Sequence, residues 1–343
     1  MHTAPIETDA LIIGAGPVGL WQAFQLGLQD IRCHIVDALP QVGGQCVELY
    51  GDKPIYDIPG IPRCTGRELI GLLQQQVAPF APHLHLDQTV TALQALADGR
   101  WQVQTSRGQS LVARSVFIAA GVGAFEPRRL SVEGAAELDG HGLLHRLADP
   151  QALAGQTVRV LGGDEAAVQA AVQLQAAGAT VSLMHRRDHF QAEASLLAAL
   201  QQARTSGRVS VCIGQPTRLS RSNAGSVQMQ WATPEGELRE DSQDCVLALL
   251  GLSPKLGPIA DWGLAMARKQ LVVDTEGFAT SAPGIYAVGD INTYPGKKKL
   301  ILCGFHEATM AAFAAAAQLR PERKVPLQYT TTSSELHRLL GVA

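Results

Sequence analysis

The sequence predicts an α/β protein built from two β-α-β domains, the second inserted into the first. Three observations carry that prediction. An apolar strand runs into a glycine-rich turn and then a helix twice, over 10–27 and again over 158–177. The strand and small-residue turn at 116–121 (Val-Phe-Ile-Ala-Ala-Gly) is echoed at 246–251 (Val-Leu-Ala-Leu-Leu-Gly). A third strand, ending in Gly289 and Asp290 and followed by an Ala-rich helix over 306–319, then returns the chain to the first domain.

The first unit reads as strand 10–13, glycine turn, amphipathic helix 19–27 and strand 33–37. Its turn carries Gly14, Gly16, Pro17 and Gly19, small residues where a strand must bend sharply into a helix so that backbone N–H groups can approach a pyrophosphate. Asp37 ends the second strand about 20 residues beyond these glycines, where a carboxylate accepts hydrogen bonds from the ribose hydroxyls of an adenosine. The combination is a Rossmann-like dinucleotide-binding unit.

The second unit has strand 158–161, a turn at Gly162 and Gly163, helix 166–177 and strand 180–185. Here the acid is replaced by Arg186 and Arg187. Guanidinium groups grip a 2′-phosphate in bidentate fashion, each charge-assisted bond contributing about 1.5–3 kcal/mol, so two would favour NADPH over NADH by roughly 10² to 10⁴. The alternative is a solvated arginine pair at a strand end. Asp164 stands at the third position of this fingerprint, where a glycine ordinarily lets the backbone approach the phosphates. A carboxylate pointing at the phosphates predicts weakened NADPH binding; one that turns away leaves only a steric defect.

Composition narrows the classes. With 343 residues, 46% hydrophobic and 17% charged, the chain can bury the cores of about two domains. A net charge of -3 with mixed signs offers no basic stripe for nucleic acid. The first strand begins too early for a secretory segment, and no stretch is long and apolar enough to span a membrane, so a cytoplasmic protein is expected. Cys33, Cys46, Cys64, Cys212, Cys245 and Cys303 show neither metal-ligand nor disulfide-framework spacing. Cys46 follows Gly43, Gly44 and Gln45 where some flavin disulfide reductases carry the first of two cysteines, but the position of the second is Gly51.

Four further features qualify as site candidates. Gly289 and Asp290 place an acid directly after an apolar strand, suited to a cofactor's polyol or pyrophosphate. Lys297, Lys298 and Lys299 form a cationic run that either docks an acidic electron carrier or is a solvated face. Tyr50 and Phe125 stand near turns of the first domain in a chain with 5% aromatics, and Tyr329 lies in the polar tail. Each is a candidate for stacking on a flat ring, the tyrosines with their hydroxyls wet, or else ordinary packing.

Together these motifs resemble the thioredoxin-reductase-like flavoproteins, most closely the ferredoxin-NADP reductases of that fold. The resemblance rests on GAGPVGL at 14–20, LPQVGGQC at 39–46, Leu49 and Tyr50, IYDIPGIP at 55–62, AAGVGAFEPR at 119–128, HRRDHFQA at 185–192 and GIYAVGDINTYPGKKKLILCGFHEA at 284–308. It implies an FAD-binding domain over 1–124 and 256–343 and an NADPH-binding domain over 125–255. It implies FAD contacts from Gly16, Asp37, Gln45, Tyr50, Val90, Phe125, Asp290 and Thr331, with Tyr50 on one face of the flavin and Tyr329 or a neighbour on the other. A homodimer is implied, its tail reaching the partner's flavin.

The stretch 138–145 lacks the Cys-x-x-Cys of thioredoxin reductases proper, which closes a dithiol route. The resemblance therefore implies hydride transfer from NADPH to FAD, then one-electron steps to ferredoxin or flavodoxin with no catalytic side chain. Rivals are a bacillithiol-disulfide-reductase-like enzyme, whose fingerprint cysteine is here Val18, a reductase with a quinone or small disulfide as acceptor, and a flavin-binding redox sensor.

Overall fold

The computed structural model describes residues 4–223, 225–322 and 329–342, apart from the side chains of Phe125, Glu126, Leu252 and Pro254. The chain divides into two compact units, one of 1–124 with 255–343 and the other of 125–254.

The first unit is organised by strand Ile6–Ile13, whose residues Ala10, Leu11 and Ile12 are fully buried. A run apolar on both faces suits a central parallel strand covered on both sides. It pairs in parallel with Cys33–Val36 on one side, Ile12 opposite Ile35, and with Ser110–Ile118 on the other, Ile12 opposite Phe117. His83–His85 extends the sheet at one edge, Ile285–Ala287 pairs with Ser110–Ile118, and Trp101–Thr105 and Val90–Ala95 continue it antiparallel. Phe117 stacks on Tyr286 across that pairing, with ring centroids 5.0 Å apart.

Helix Pro17–Leu28 starts with proline at its first turn and buries Leu20, Ala23, Phe24 and Leu26. It packs against helix Ile301–Leu319, whose buried Ala308, Ala311, Ala312, Ala315 and Ala316 present no long side chains to hold the helices apart. Trp21 locks the pair, its ring 5.5 Å from Phe305 and its Nε1–H donating to Thr309 Oγ1 at 3.1 Å. Helix Gly66–Val77 begins with a capping box in which Thr65 and Glu68 satisfy each other's backbone N–H. In the tail, Ser334–Leu340 forms a short helix capped by Ser333, with Leu336 buried and the helix lying against the turn Ala78–Phe80.

The second unit has a parallel sheet in the order Leu143–Leu144, Cys245–Ala248, Thr157–Leu161, Thr180–His185, Val209–Ile213. Helices Glu165–Ala176 and Ala194–Thr205 pack on it. An antiparallel sheet of Gln215–Arg221, Val227–Ala232 and Leu238–Gln243 completes this unit. The strands at 116–118 and 245–248 are internal to the two sheets. The crossings come after them, at Ala124–Pro127 and Leu252–Lys255, which pair with each other. Among the described residues no helix is long and apolar enough to cross a membrane.

At the sheet edge of the first unit three imidazoles meet. His34 Nδ1 lies 2.8 Å from His85 Nε2, and the rings of His34 and His83 are 4.6 Å apart. Burial, reinforced by His85, His83 and Arg32, pulls the pKa of His34 down from 6.5 to about 4, and burial lowers His85 as well. Between those two pH values the unfolded chain binds a proton that the folded chain refuses. Stability is therefore expected to be full above about pH 6.5 and to fall as pH drops towards about 4. Denaturant midpoints across that window should show the fall, and His34→Gln should flatten it; an unchanged slope in the variant would refute the assignment.

Candidate functional site

The first fingerprint separates three glycines by what each is for. A Cβ on Gly14 would run into the carbonyl of Ala119, and one on Gly19 into the carbonyl of Gly14, so both are required by packing of strand, turn and helix. Gly14 also sits at φ +114, where only glycine is at ease. Gly16 differs. Its φ of -72 and ψ of -177 suit any residue, and a Cβ there would meet nothing within 4 Å. No protein atom demands glycine at 16; open space at the start of helix Pro17–Leu28 does. That helix has no side-chain cap, so its first-turn N–H groups face this space available to an anion.

The surrounding residues complete a cradle. Asp37 is 9% exposed and accepts from Ala15 N–H at 2.5 Å and from Leu39 N–H at 2.8 Å, one bond to each oxygen. Burial pushes its pKa up while those two bonds pull it down, and each oxygen keeps a lone pair for a hydroxyl donor. Gly43 N–H donates to Ala15 O at 2.9 Å, and a Cβ on Gly44 would stand 3.2 Å from Gly16 Cα, so the 43–44 turn borders the same space. Gln45 starts the short helix Gln45–Glu48 and rests its amide on Gly121, where a Cβ would come within 2.7 Å of Nε2. Val90 is buried at the start of its strand.

Tyr50 and Asp290 share a neighbourhood with Cys46. The Tyr50 hydroxyl lies 3.4 Å from Cys46 Sγ, and the charge of Asp290 reaches both groups. Burial raises the Cys46 thiol and the Tyr50 phenol, so both stay protonated at neutral pH. The hydroxyl of Tyr50, expected to stay wet, is thus turned to a thiol. Tyr329 is 64% exposed and Thr331 is exposed beside it. The backbone of Phe125 lies in the crossing strand; its side chain is outside the described residues.

Lys297 overturns one expectation. Of the three lysines read as a cationic face, Lys298 and Lys299 are exposed, but Lys297 is drawn inward to a 2.5 Å ion pair with Glu307, itself fully buried. Glu307 also accepts from Gly289 N–H at 2.7 Å, Asn292 Nδ2 at 2.9 Å and the Tyr294 hydroxyl at 3.0 Å. Sequence reading misses this acid. Its one signal is a carboxylate inside an alanine-rich helix ten residues from a lysine.

The second fingerprint repeats the geometry with one change. Gly162, at φ +153, packs against the carbonyl of Leu249, as Gly14 does against Ala119. Gly163 has no Cβ because the ring of His185 lies over it. Asp164 occupies the place of Gly16, at the N-cap of helix Glu165–Ala176, and its Oδ1 accepts from Ala167 N–H at 3.2 Å. It bends back to cap its own helix, keeping its charge at the helix start.

Beyond the strand, His185 Nδ1 lies 3.0 Å from Arg187 O, and Gln191 N–H donates to Gly163 O at 2.8 Å, so the 185–191 loop is held on the glycine turn. Arg186 and Arg187 are exposed and unpaired among the described residues. Their neighbour Asp188 is taken by Arg204 through two bonds of 3.0 and 3.1 Å. All six cysteines are free, and no group of side chains among the described residues could hold a metal ion.

Two glycine-turn nucleotide cradles on parallel sheets define a two-dinucleotide oxidoreductase, and the chain belongs to the pyridine nucleotide-disulphide oxidoreductase family, which matches residues 8–318. It is 60% identical to a ferredoxin–NADP reductase of Acidovorax sp. (strain JS42), across 100% of this chain and 99% of that one. It is 59% identical to a ferredoxin–NADP reductase of Verminephrobacter eiseniae (strain EF01-2), across 98% of each. Among solved structures, T. acidophilum thioredoxin reductase superposes with a TM-score of 0.59 at 21% identity, covering 91% of this chain and 98% of that one. That likeness shows the fold.

The glycine roles give a paired test. Gly19→Ala should cost about 1–3 kcal/mol of stability by overpacking, whereas Gly16→Ala should cost less than about 1 kcal/mol and instead weaken dinucleotide binding. Denaturation and cofactor titration of both variants check this, and equal destabilisation would contradict it. Asp164→Asn keeps the cap but removes the charge. It should tighten NADPH about 2- to 5-fold, matching about 0.3–1 kcal/mol for a charge at a helix N-terminus; unchanged affinity in titration would show that the charge does not compete with the phosphates.

Proposed function

We propose that this chain is an FAD-dependent oxidoreductase that passes electrons between NADPH and ferredoxin or flavodoxin. The observation that carries the proposal is the state of its thiols. All six are unpaired, and burial raises those of Cys33, Cys46, Cys64, Cys212 and Cys245, in a chain matched end to end by relatives named ferredoxin–NADP reductase. A thiol held protonated is a poor nucleophile, so those five are poor partners for a disulfide acceptor.

When bound, FAD supplies a carrier that takes a hydride from NADPH and releases its electrons singly. The chain's own residues bind and orient. Gly16 and Gly19 offer the FAD pyrophosphate backbone N–H groups where Gly14 makes the turn and Pro17 starts the helix, and Asp37 takes the adenosine ribose. Gln45, Tyr50, Val90, Phe125, Gly289, Asp290 and Thr331 line the remainder, with Tyr50 against one face of the ring. Gly162 and Gly163 receive the NADPH pyrophosphate, and Arg186 and Arg187 grip the 2′-phosphate; the capture of Asp188 by Arg204 supports this by leaving both arginines free.

The first unit is thus the FAD-binding domain and the second the NADPH-binding domain. Exposed Lys298 and Lys299 suit an acidic carrier protein. The protein works in the cytoplasm as a homodimer, with Tyr329 placed over the partner's flavin. The anchoring of the tail helix at Ala78–Phe80, beside the far end of helix Pro17–Leu28 from Gly16, supports this arrangement.

A flavin-binding redox sensor is a second reading, favoured only by the self-capping of Asp164. One experiment separates the two. The yellow protein is mixed anaerobically with NADPH, then with ferredoxin and cytochrome c. Bleaching followed by ferredoxin-dependent cytochrome reduction is expected. No bleaching would favour the sensor, and bleaching without ferredoxin dependence would overturn the proposed acceptor.

A further inference from the structure

Glu307 and Lys297 form a charged pair in the interior of the first unit, Glu307 with no exposed surface and the Lys297 side chain only 7% exposed. Such a pair is a weak source of stability, because the attraction barely offsets the cost of stripping water from both charges. Its bonds show where it acts. Glu307 Oε2 accepts from Gly289 N–H at 2.7 Å and Asn292 Nδ2 at 2.9 Å, while Oε1 accepts from Lys297 Nζ at 2.5 Å and the Tyr294 hydroxyl at 3.0 Å. Lys297 Nζ donates in turn to Gly289 O at 2.8 Å and lies 5.4 Å over the ring of Tyr294. Both backbone polar groups of Gly289 are therefore held by the two members of one ion pair.

Gly289 is also the point where three elements touch. Its φ of +80 favours glycine, and a Cβ there would stand 3.3 Å from Val18 Cγ2, in the first turn of the fingerprint helix. A Cβ on Gly304, in the helix that carries Glu307, would run into the same valine and stand 3.4 Å from Gly289 Cα. The turn bearing Asp290 is thus pressed between two helices and fixed from behind by Glu307. In front of it, Asp290 acts on Cys46 and Tyr50 across the cradle.

We propose that Glu307, acting with Lys297, is a positioning residue: it fixes the Gly289–Asp290 turn against the first turn of helix Pro17–Leu28 and so sets how tightly and in what geometry the flavin is held. This rests on the proposed binding of FAD by the first unit. The ion pair has no net charge, so its influence passes through geometry. The donor pattern makes glutamine a poor substitute, because one end of its amide must present N–H groups either to Gly289 N–H and Asn292 Nδ2 or to Lys297.

The test uses the purified holoprotein, with FAD affinity by titration of deflavinated protein, visible circular dichroism of the bound flavin, and thermal stability. Glu307→Gln should weaken FAD by about tenfold or more, the scale of one lost charge-assisted hydrogen bond, and change the flavin dichroism. Glu307→Asp, which keeps the charge, should recover part of both. The double variant Glu307→Gln with Lys297→Met removes both charges and should regain thermal stability without regaining FAD affinity or the wild-type dichroism. If the double variant regains all three, the pair is merely structural and the proposal fails. It fails equally if Glu307→Gln binds FAD as tightly as wild type with the same dichroism. Wild-type protein that takes up no FAD would overturn the flavin reading itself, and this proposal with it.

Discussion

The structure of the first unit depends on a contact that no side chain makes. Gly14, Gly19 and Ala119 bring three stretches of backbone within a distance that a single Cβ would abolish. This closeness aims helix Pro17–Leu28 straight out of the strand end, so that its uncapped first turn, with a partial positive charge, opens onto the space beside Gly16. The other features of the cradle are placed by reference to it. The 43–44 turn hangs from Ala15, Asp37 is tied to Ala15 and Leu39, and the Gly289 turn is pressed on Val18. A change in the strand-to-helix angle would displace all of them together.

In the second unit the same backbone device receives a different residue at one point, and its electrostatics change. With Asp164 in the place that Gly16 holds in the first unit, the helix start is satisfied by its own chain and carries a negative charge of its own. Any anion that approached this helix start would have to share or displace that cap. The unit offsets this at its other end. Two unpaired guanidinium groups, Arg186 and Arg187, follow strand Thr180–His185, and the nearby Asp188 is neutralised by Arg204. If Arg186 and Arg187 take the 2′-phosphate as proposed, recognition in this unit shifts away from the pyrophosphate. Such a shift would suit a nucleotide that must arrive and leave in every cycle, whereas an open helix start, as in the first unit, would suit one that stays.

The legible parts of this protein are those in which chemistry is local. Strand Thr180–His185 and the turns at Gly14 and Gly162 arise from runs of neighbouring residues, and Asp37 and Arg186 are fixed by their distance from a glycine. Helix Ile301–Leu319 begins five residues before the expected 306, because Leu300, its N-cap, supplies no side-chain hydrogen bond and hence no start signal. The antiparallel sheet at Gln215–Gln243 escapes sequence reading although Val227–Ala232 alternates buried and half-buried residues. Lys297 escapes it for a different reason. A sequence displays a charge but not its partner, and three adjacent lysines read as one solvated face until a fold places a buried carboxylate beneath the first.

Burial of the thiols also bears on how electrons can leave the protein. Thiolates, not thiols, attack disulfides, and burial raises Cys33 to about 12 and Cys245 to about 11. Cys46 has a hydroxyl partner in Tyr50, yet burial still outweighs that bond and keeps its proton on. An acid at 290 adds to the effect, since a thiolate beside a carboxylate would place two negative charges together. Asp290 therefore adds, after burial, to what keeps the Cys46 thiol protonated. The turn that carries this acid is the one whose Gly289 N–H donates to the buried Glu307, so the charge beside Cys46 is placed from the far side of the turn.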